Sequence, residues 1–293
     1  MFGLRKVIRS ILGCIDQYSI VLSSMLSRED VKKIHESIYA DFVASRPVDA
    51  SEWSVRTTSG TSGGEPFALI TKFQPRSRQQ YDRVKRAVVC YGPMCIRLSN
   101  ALLARDKSGT EPVQVLLMSN KDLAPSLQPL LDDFGPDSLF GFVSFAVRVS
   151  QYCNKGVSAA VSFLYLGGER LTAQLESHLH SIFPNAAVSM PYMMSELGPL
   201  SEPSCAYLPR NHYHPQEGVL FEIYNPDADG VGEILISKKI HYAVDIRQYK
   251  VGDMGRLHRK TCACGAAVTL EHLGRTGYDF VKVAGATLVR EEF

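Results

Sequence analysis

The residues best suited to bind an anion lie in one loop. Residues 57–66 read Thr-Thr-Ser-Gly-Thr-Ser-Gly-Gly-Glu-Pro. Glycines let the backbone fold closely enough for N–H groups to surround phosphate oxygens, and the hydroxyls add neutral donors. The Gly-Lys-Ser/Thr ending of a Walker loop is missing. The composition therefore indicates either a phosphate-binding loop of another kind or a solvated linker.

Five short motifs follow this loop along the chain. Taken singly, each has an ordinary explanation, such as a surface position for Glu196, a turn for Asp253 and a core position for Tyr192. Five weak motifs in one order carry more information together than each carries alone. In chain order they are Gly167-Gly168-Glu169, Tyr192-Met193-Met194-Ser195-Glu196, Gly232-Glu233, Tyr249-Lys250-Val251-Gly252-Asp253 and Gly274-Arg275.

In this order the loop and the motifs resemble the adenylate-forming (acyl-AMP-forming, AMP-binding) enzyme superfamily, and its phenylacetate-CoA ligase-like branch in particular. The loop is similar to the family's Ser-Gly-Thr-Thr-Gly-x-Pro signature, and residues 192–196 are similar to its Tyr-Gly-x-Thr-Glu motif. The resemblance spans residues 57–285. It implies an acid-thiol ligase that uses ATP to activate a small carboxylic acid as an acyl-adenylate, releases pyrophosphate, and passes the acyl group to CoA or another acceptor.

The resemblance also implies which residues carry the reaction. Ser195 would contact the α-phosphate and Glu196 would ligate Mg²⁺, which makes these two the catalytic residues. Because the attacking carboxylate and the α-phosphate are both anions, the reaction needs positioned donors and a divalent cation. The β- and γ-phosphates would be held by the loop residues Thr58, Ser59, Gly60, Thr61, Ser62, Gly63 and Gly64.

Other matched residues would bind the rest of the nucleotide. Gly168 and Glu169 would border the acyl and adenine pocket, and Tyr192 would pack on adenine. Asp253 would accept hydrogen bonds from both ribose hydroxyls, and Arg275 would lie near the ribose and the phosphate. ATP and Mg²⁺ are therefore the implied cofactors.

A second group of residues could bind a metal. Cys262 and Cys264 form a close pair of thiols, and Cys205 and His212 lie upstream in the same β-rich region. Thiolates and a neutral imidazole suit tetrahedral Zn²⁺, with His214 as the alternative to His212. The phenylacetate-CoA ligase-like branch carries a similar arrangement, and some of its members bind zinc there. Unligated cysteines in a β-rich subdomain are the other interpretation.

The chain departs from the family pattern in several places. Two residues, Gly64 and Glu65, separate Gly63 from Pro66 where the family has one, and an acid beside a triphosphate is electrostatically unfavourable. Met193 replaces the usual glycine. Ser195 replaces threonine but keeps the hydroxyl, and residues 276–279 lack the expected aspartate pair.

The family's small C-terminal domain is also expected to be absent, since the chain ends at Phe293. In the family that domain brings a catalytic lysine to the acyl phosphate. Truncation, a natural protein that works without the domain, a partner that supplies it, and a homodimer are the arrangements left open.

The pattern of elements predicts an α/β fold, the large N-terminal domain of adenylate-forming enzymes with a smaller β-rich subdomain. Buried strands are predicted at 67–70, 113–118 and 159–166, and helices at 78–91 and 171–182. Shorter strands follow at 218–224, 233–237 and 280–288. The predicted division is a helical segment 1–50, with a helix starting at Ser27-Arg28-Glu29-Asp30, an α/β ATP- and acyl-binding core 51–204, and a β-rich part 205–293 with the zinc site.

Composition excludes several classes of protein. The 293 residues are 45% hydrophobic, which predicts a folded core, and a net charge of +2 gives no footprint for nucleic acid. No apolar run reaches the roughly 20 residues that span a bilayer. Seven cysteines, an odd number without framework spacing, favour a reducing compartment and hence the cytoplasm.

Other functions remain open at this point. A non-catalytic nucleotide-binding partner subunit would fit Glu65, Met193 and the missing domain, and related folds pass the acyl group to an amine or a protein. A hydrolase with a cysteine nucleophile has no supporting spacing. An apolar or aromatic acid is suggested by Phe140, Phe142 and Phe145, which would equally suit a plain core.

Overall fold

The chain divides into two units in a computed structural model. We call residues 1–72, 215–261 and 265–276 the antiparallel unit, and residues 73–214, 262–264 and 277–293 the parallel unit. These limits differ from the boundaries at 50 and 204 drawn from the sequence. The structure describes residues 25–45, 53–57, 67–72, 84–90, 113–119, 125–202, 204–239, 245–275, 280–283 and 286–289.

Helices and short strands alternate through much of the described chain. The helices are α1 (Arg28–Ser45), α2 (Leu127–Phe134), α3 (Val143–Ser150), α4 (Lys155–Ala160) and α5 (Ala173–Ile182). The first ten described strands are β1 (Trp53–Thr57), β2 (Ala68–Lys72), β3 (Arg86–Cys90), β4 (Gln114–Met118), β5 (Ser138–Gly141), β6 (Phe163–Leu166), β7 (Ala187–Ser189), β8 (Met193–Met194), β9 (Gly198–Pro199) and β10 (His212–Tyr213). The later strands are β11 (Val219–Tyr224), β12 (Gly232–Lys239), β13 (Asp245–His258), β14 (Thr269–Arg275), β15 (Phe280–Val283) and β16 (Ala286–Val289).

The parallel unit is built on a five-stranded sheet in the order β4-β3-β5-β6-β7, with every neighbouring pair parallel. Its central strands are mostly apolar because the strands of a parallel sheet are usually buried on both faces. Val88, Leu139 and Phe140 are fully buried there, and α3 packs against β5, β6 and α5.

Two predictions for this sheet are wrong in detail. Residues 86–90 form a strand where a helix was predicted over 78–91, and residues 78–83 lie outside the described ranges. The strand predicted over 159–166 begins only at Phe163, since residues up to Ala160 belong to α4. In contrast, the predicted strand at 113–118 and helix at 171–182 are confirmed.

Helix starts follow the local sequence. At α1, the predicted start at Ser27 is confirmed by reciprocal capping: Asp30 N–H donates to Ser27 Oγ at 3.3 Å, and Ser27 N–H donates to Asp30 Oδ2 at 2.9 Å. The Ser27 hydroxyl also donates to Asp30 Oδ2 at 2.6 Å, and this bond together with the one from the Ser27 N–H lowers the pKa of Asp30. Thr172 caps α5 by accepting from the Leu175 N–H.

The antiparallel unit contains the hairpin β1–β2 and four strands in the order β14-β13-β12-β11. Ile234, Ile236 and Leu270 are fully buried in it. Leu26 contacts a strand of this unit, since its N–H donates to Gln248 O at 3.2 Å.

Several β predictions agree with these strands. The segments at 67–70, 218–224 and 233–237 are strands, and 280–288 is a hairpin of β15 and β16.

No helix in the described ranges is long and apolar enough to cross a membrane.

A close approach between β11 and β12 makes Gly232 a test of this fold. An added Cβ would press on the carbonyl oxygen of Tyr224 and lie 2.7 Å from Cγ2 of Ile223. Because backbone atoms of a paired strand cannot move aside, we expect Gly232→Ala to lower the free energy of unfolding by about 1–3 kcal/mol. Urea denaturation measures this.

The control for Gly232→Ala is Leu220→Ala, since Leu220 on β11 is 56% exposed. Its unfolding free energy should change by less than about 0.5 kcal/mol. Equal unfolding free energies for Gly232→Ala and the wild type would contradict the close approach.

Candidate functional site

In the parallel unit, one cluster of predicted residues follows the carboxyl ends of the strands. Gly168 and Glu169 come directly after β6, and Ser144 lies in the first turn of α3, after β5. The carboxylate of Glu169 accepts hydrogen bonds from the backbone N–H of Ser144 at 2.7 Å and from its hydroxyl at 2.8 Å. Glu169 thus satisfies an N–H that the first turn of a helix leaves unpaired.

A small hairpin after β7 carries the two predicted catalytic residues. Strands β8 and β9 pair antiparallel, with Met194 opposite Gly198, so Ser195 and Glu196 lie in the turn between them. Glu196 is buried, at 7% exposure, and Ser195 is half-buried. The turn therefore presents a hydroxyl and a carboxylate next to each other in sequence.

Tyr192, the predicted adenine-stacking residue, is fixed by its backbone and its ring. Its N–H donates to the hydroxyl of Ser201 at 2.8 Å, and its ring stacks on Tyr213 with centroids 5.6 Å apart. Upstream, the Met190 N–H donates to the hydroxyl of Ser204 at 2.7 Å. Sequence reasoning missed both serines, since a lone serine in a loop gives no signal of its partner.

In the antiparallel unit, Asp253 and Arg275 are brought together. They are opposite each other in the pairing of β13 with β14, and Arg275 Nε lies 3.1 Å from Asp253 Oδ1. A histidine that sequence reasoning missed, His272, lies with its Nε2 3.3 Å from Oδ2 of the same carboxylate. Asp253 is only 4% exposed, so two cationic or polar donors compensate its buried charge.

Four possible metal ligands meet in the parallel unit. The side-chain donor atoms of Cys205, His214, Cys262 and Cys264 all lie within 4.8 Å of one another. The sulfur atoms of Cys205 and Cys262 are 3.9 Å apart, and Cys264 Sγ is 3.2 Å from His214 Nε2. Burial raises the pKa of the Cys205 thiol, and the thiols of Cys264 and Cys262 raise it further.

The histidine in this group is His214, the alternative ligand, and not His212. Nδ1 of His212 lies 3.0 Å from the carbonyl oxygen of Arg210. His212 lies in β10, whereas His214 follows the last residue of that strand. Because a spacing of two residues would place both on one face of a regular strand, the sequence could not tell which of them meets the thiols.

The predicted nucleotide-binding residues fall in both units, and the phosphate loop lies outside the described residues. The phosphate loop from Thr58 to Gly64 lies outside the described residues, although its flanking strands pair with Thr57 opposite Ala68. The loop, Asp253 and Arg275 belong to the antiparallel unit, whereas Tyr192, Ser195 and Glu196 belong to the parallel unit.

The aromatic segment suggested as an acyl pocket lies in the hydrophobic core. Phe140 and Phe145 are fully buried, and the ring of Phe140 contacts the rings of Phe163 and Tyr165 at 5.9 and 5.8 Å between centroids. These two phenylalanines therefore follow the plain-core interpretation, and only Phe142 is partly exposed.

Comparison with solved structures identifies the fold. The structure of 2-hydroxyisobutyryl-CoA ligase in complex with 2-HIB-AMP and CoA matches with a TM-score of 0.61 and 16% identity over 92% of this chain. The chain has the fold of an adenylate-forming ligase. The predicted α/β class, with the large N-terminal domain of such enzymes, is thereby confirmed.

Other comparisons set the limits of this likeness. ATP-bound MatB from Rhodopseudomonas palustris matches with a TM-score of 0.53 and 16% identity over 80% of this chain. This chain spans 61% of the length of the 2-hydroxyisobutyryl-CoA ligase and 50% of MatB. No protein-family model and no curated protein matches the sequence. At these identities the likeness establishes the fold and not the activity.

An ion pair anchors the loop between Cys205 and His214 to α5. Glu176 on α5 accepts a hydrogen bond from the guanidinium of Arg210 in that loop. Hydrogen bonding to Arg210 lowers the pKa of the Glu176 carboxyl, although partial burial opposes this. The pair thus links a helix of the parallel unit to the segment that carries two of the metal-ligand candidates.

We expect Glu176→Gln to reduce the pH dependence of stability. A carboxyl whose pKa is lowered by folding stabilises the fold above its unfolded pKa of about 4.3, and this stabilisation is lost as the pH falls through the folded-state pKa. Because the pair is partly exposed, the wild-type advantage at neutral pH should stay below about 1 kcal/mol. Urea denaturation at neutral and strongly acidic pH measures it.

A matched control is Glu217→Gln, because Glu217 is exposed. It should leave the difference between the two pH values unchanged. A stability loss in Glu176→Gln that is equally large at strongly acidic pH would refute the electrostatic origin of the effect.

Proposed function

We propose that this chain binds ATP and activates a small carboxylic acid as an acyl-adenylate, releasing pyrophosphate, with CoA as the first acceptor to test. The fold supports this proposal, since the solved ligases that share it carry an acyl-adenylate, ATP or CoA in their structures. The order of the sequence motifs supports it independently of the fold. Amine or protein acceptors remain the alternatives to CoA.

One observation carries the proposal. Asp253 and Arg275 were selected from two separate motifs, and they form an ion pair across neighbouring strands, 3.1 Å apart. A buried carboxylate with a guanidinium beside it suits a ribose, because the carboxylate accepts hydrogen bonds from hydroxyl groups and the guanidinium can reach a phosphate.

The remaining roles are assigned by residue type. Ser195 donates its hydroxyl to the α-phosphate, and Glu196 holds Mg²⁺, for which a carboxylate is a preferred ligand. Bound Mg²⁺ offsets the negative charge that repels the attacking carboxylate. Residues 58–64 donate backbone N–H groups to the β- and γ-phosphates, and Tyr192 offers a ring to adenine.

We also propose a structural zinc ion held by Cys205, His214, Cys262 and Cys264. Tetrahedral zinc with Zn–S bonds of about 2.3 Å sets its sulfur ligands roughly 3.7 Å apart, close to the 3.9 Å between Cys205 and Cys262. Three thiols and one imidazole form a closed site without a position for substrate. This ligand set is the argument for the phenylacetate-CoA ligase-like branch.

Acid-dependent exchange of labelled pyrophosphate into ATP tests the activity. We expect exchange with one member of a panel of aryl, aryl-acetic and medium-chain fatty acids. Glu196→Gln keeps the size of the side chain but removes its charge, so exchange should fall about 100-fold. Glu202→Gln is the matched control, because Glu202 is an exposed carboxylate near the same hairpin.

One outcome would contradict adenylation itself, and another would contradict only the role of Glu196. ATP binding without exchange for any acid would mean a nucleotide-binding partner subunit. Equal exchange by Glu196→Gln and the wild type would remove Glu196 from the metal site while leaving the activity in place.

Metal analysis of purified protein tests the zinc site. We expect about one zinc ion per chain, as a four-ligand structural site holds, and loss of zinc in His214→Ala and Cys262→Ser. His212→Ala is the matched control and should keep zinc, since His212 contacts the Arg210 carbonyl. Wild-type protein without zinc, or equal loss in both histidine variants, would refute the ligand set.

A further inference from the structure

His272 lies beside the carboxylate that we assign to the ribose, yet no motif in the sequence includes it. We propose that His272 is a positioning residue that sets the preference of this site for ribose over deoxyribose. Its Nε2 lies 3.3 Å from Oδ2 of Asp253, and Nε of Arg275 lies 3.1 Å from Oδ1 of the same carboxylate. The inference rests on the proposed ATP binding.

A β-bulge brings the two partners of Asp253 to the same face of the sheet. His272 and Arg275 are three residues apart, so in a regular strand they would point to opposite faces. The pairing of β13 with β14 shifts by one residue between Met254 and Gly255: Met254 is opposite Gly274, and Gly255 is opposite His272. The extra residue in β14 therefore turns His272 to the face that carries Asp253.

Gly274 makes the bulge possible. Its φ of +122° lies in a region that side chains with a Cβ rarely adopt, so a glycine is favoured there. The Gly-Arg motif is thus explained by the geometry of the bulge as well as by the arginine. Bulges commonly re-aim a side chain beside an active site.

The carboxylate of Asp253 retains the capacity to bind hydroxyl groups in this arrangement. A carboxylate offers about four acceptor positions on its two oxygens, so one neighbour beside each oxygen leaves positions for hydroxyl groups. An imidazole that carries its proton on Nε2 can donate to Oδ2, which only accepts. Holding both oxygens fixes the plane of the carboxylate, and with it the directions in which the 2′- and 3′-hydroxyls can donate.

A purely structural histidine would affect stability but not nucleotide preference. The test is therefore the ratio of dissociation constants for 2′-deoxy-ATP and ATP, measured by calorimetry with Mg²⁺. We expect the wild-type protein to bind ATP about tenfold more tightly, the effect of one hydrogen bond to a charged group. His272→Ala should reduce this preference to about twofold or less.

Conservative variants separate positioning from packing. The amide nitrogen of His272→Gln can replace Nε2, so this variant should recover most of the preference, whereas the shorter side chain of His272→Asn should not. His258→Ala is the matched control, since His258 Nε2 contacts Glu271 at 2.8 Å in the same pair of strands. It should keep the wild-type ratio. If His272→Ala does not fold, the contrast between the Gln and Asn variants decides.

The outcomes distinguish this inference from the proposed function. ATP binding with a ribose preference that no His272 variant changes would overturn the positioning role alone. A wild-type protein that binds both nucleotides equally would also overturn it, while adenylation could still be measured by exchange. A wild-type protein that binds neither nucleotide would overturn the proposed function together with the inference.

Discussion

Parallel strands cannot be joined by tight turns, and this constraint organises the parallel unit. Each connection must return the chain to the amino-terminal end of the next strand. The segments that follow β5, β6 and β7 therefore all begin at the carboxyl ends of the strands. The hydrogen bonds from Ser144 to Glu169 join two of these segments. Ligands of open α/β sheets bind beyond the carboxyl ends of the strands, and the hairpin with Ser195 and Glu196 follows β7 in the chain.

Some of the fold could be read from the sequence because the signals were local. The start of α1 depends on four successive residues, and the capping bonds of Ser27 and Asp30 lie within them. Strand β3 was missed because a strand buried on both faces has no polar alternation, so its apolar residues also fit a helical period. The same ambiguity placed the last two residues of α4, Ala159 and Ala160, inside a predicted strand, although Asn154 caps the start of this helix.

The site divides in the same way into local and long-range parts. Motif order identified Asp253 and Arg275, which meet across two strands. The sequence could not identify His272, because an odd spacing in a strand predicts the opposite face and only the bulge reverses it. The choice between His212 and His214 depended on where β10 ends, because a spacing of two residues would place both histidines on one face of a regular strand. Residue types predicted the chemistry, whereas register decided the partners.

The antiparallel unit contains segments from distant parts of the chain, and this has a consequence during synthesis. Leu26 pairs with Tyr249, and α1 packs on β2 and β13. The five strands of the parallel sheet have all been made once Ser189 has left the ribosome. Because domains fold as units while the chain emerges, this sheet can form at that point. β1 and β2 can pair with each other early, whereas Leu26 and α1 emerge long before the segment of β13 that they contact. The face of α1 that packs on β13 is therefore exposed to other nascent chains for longer, and chaperones would be needed most at this helix.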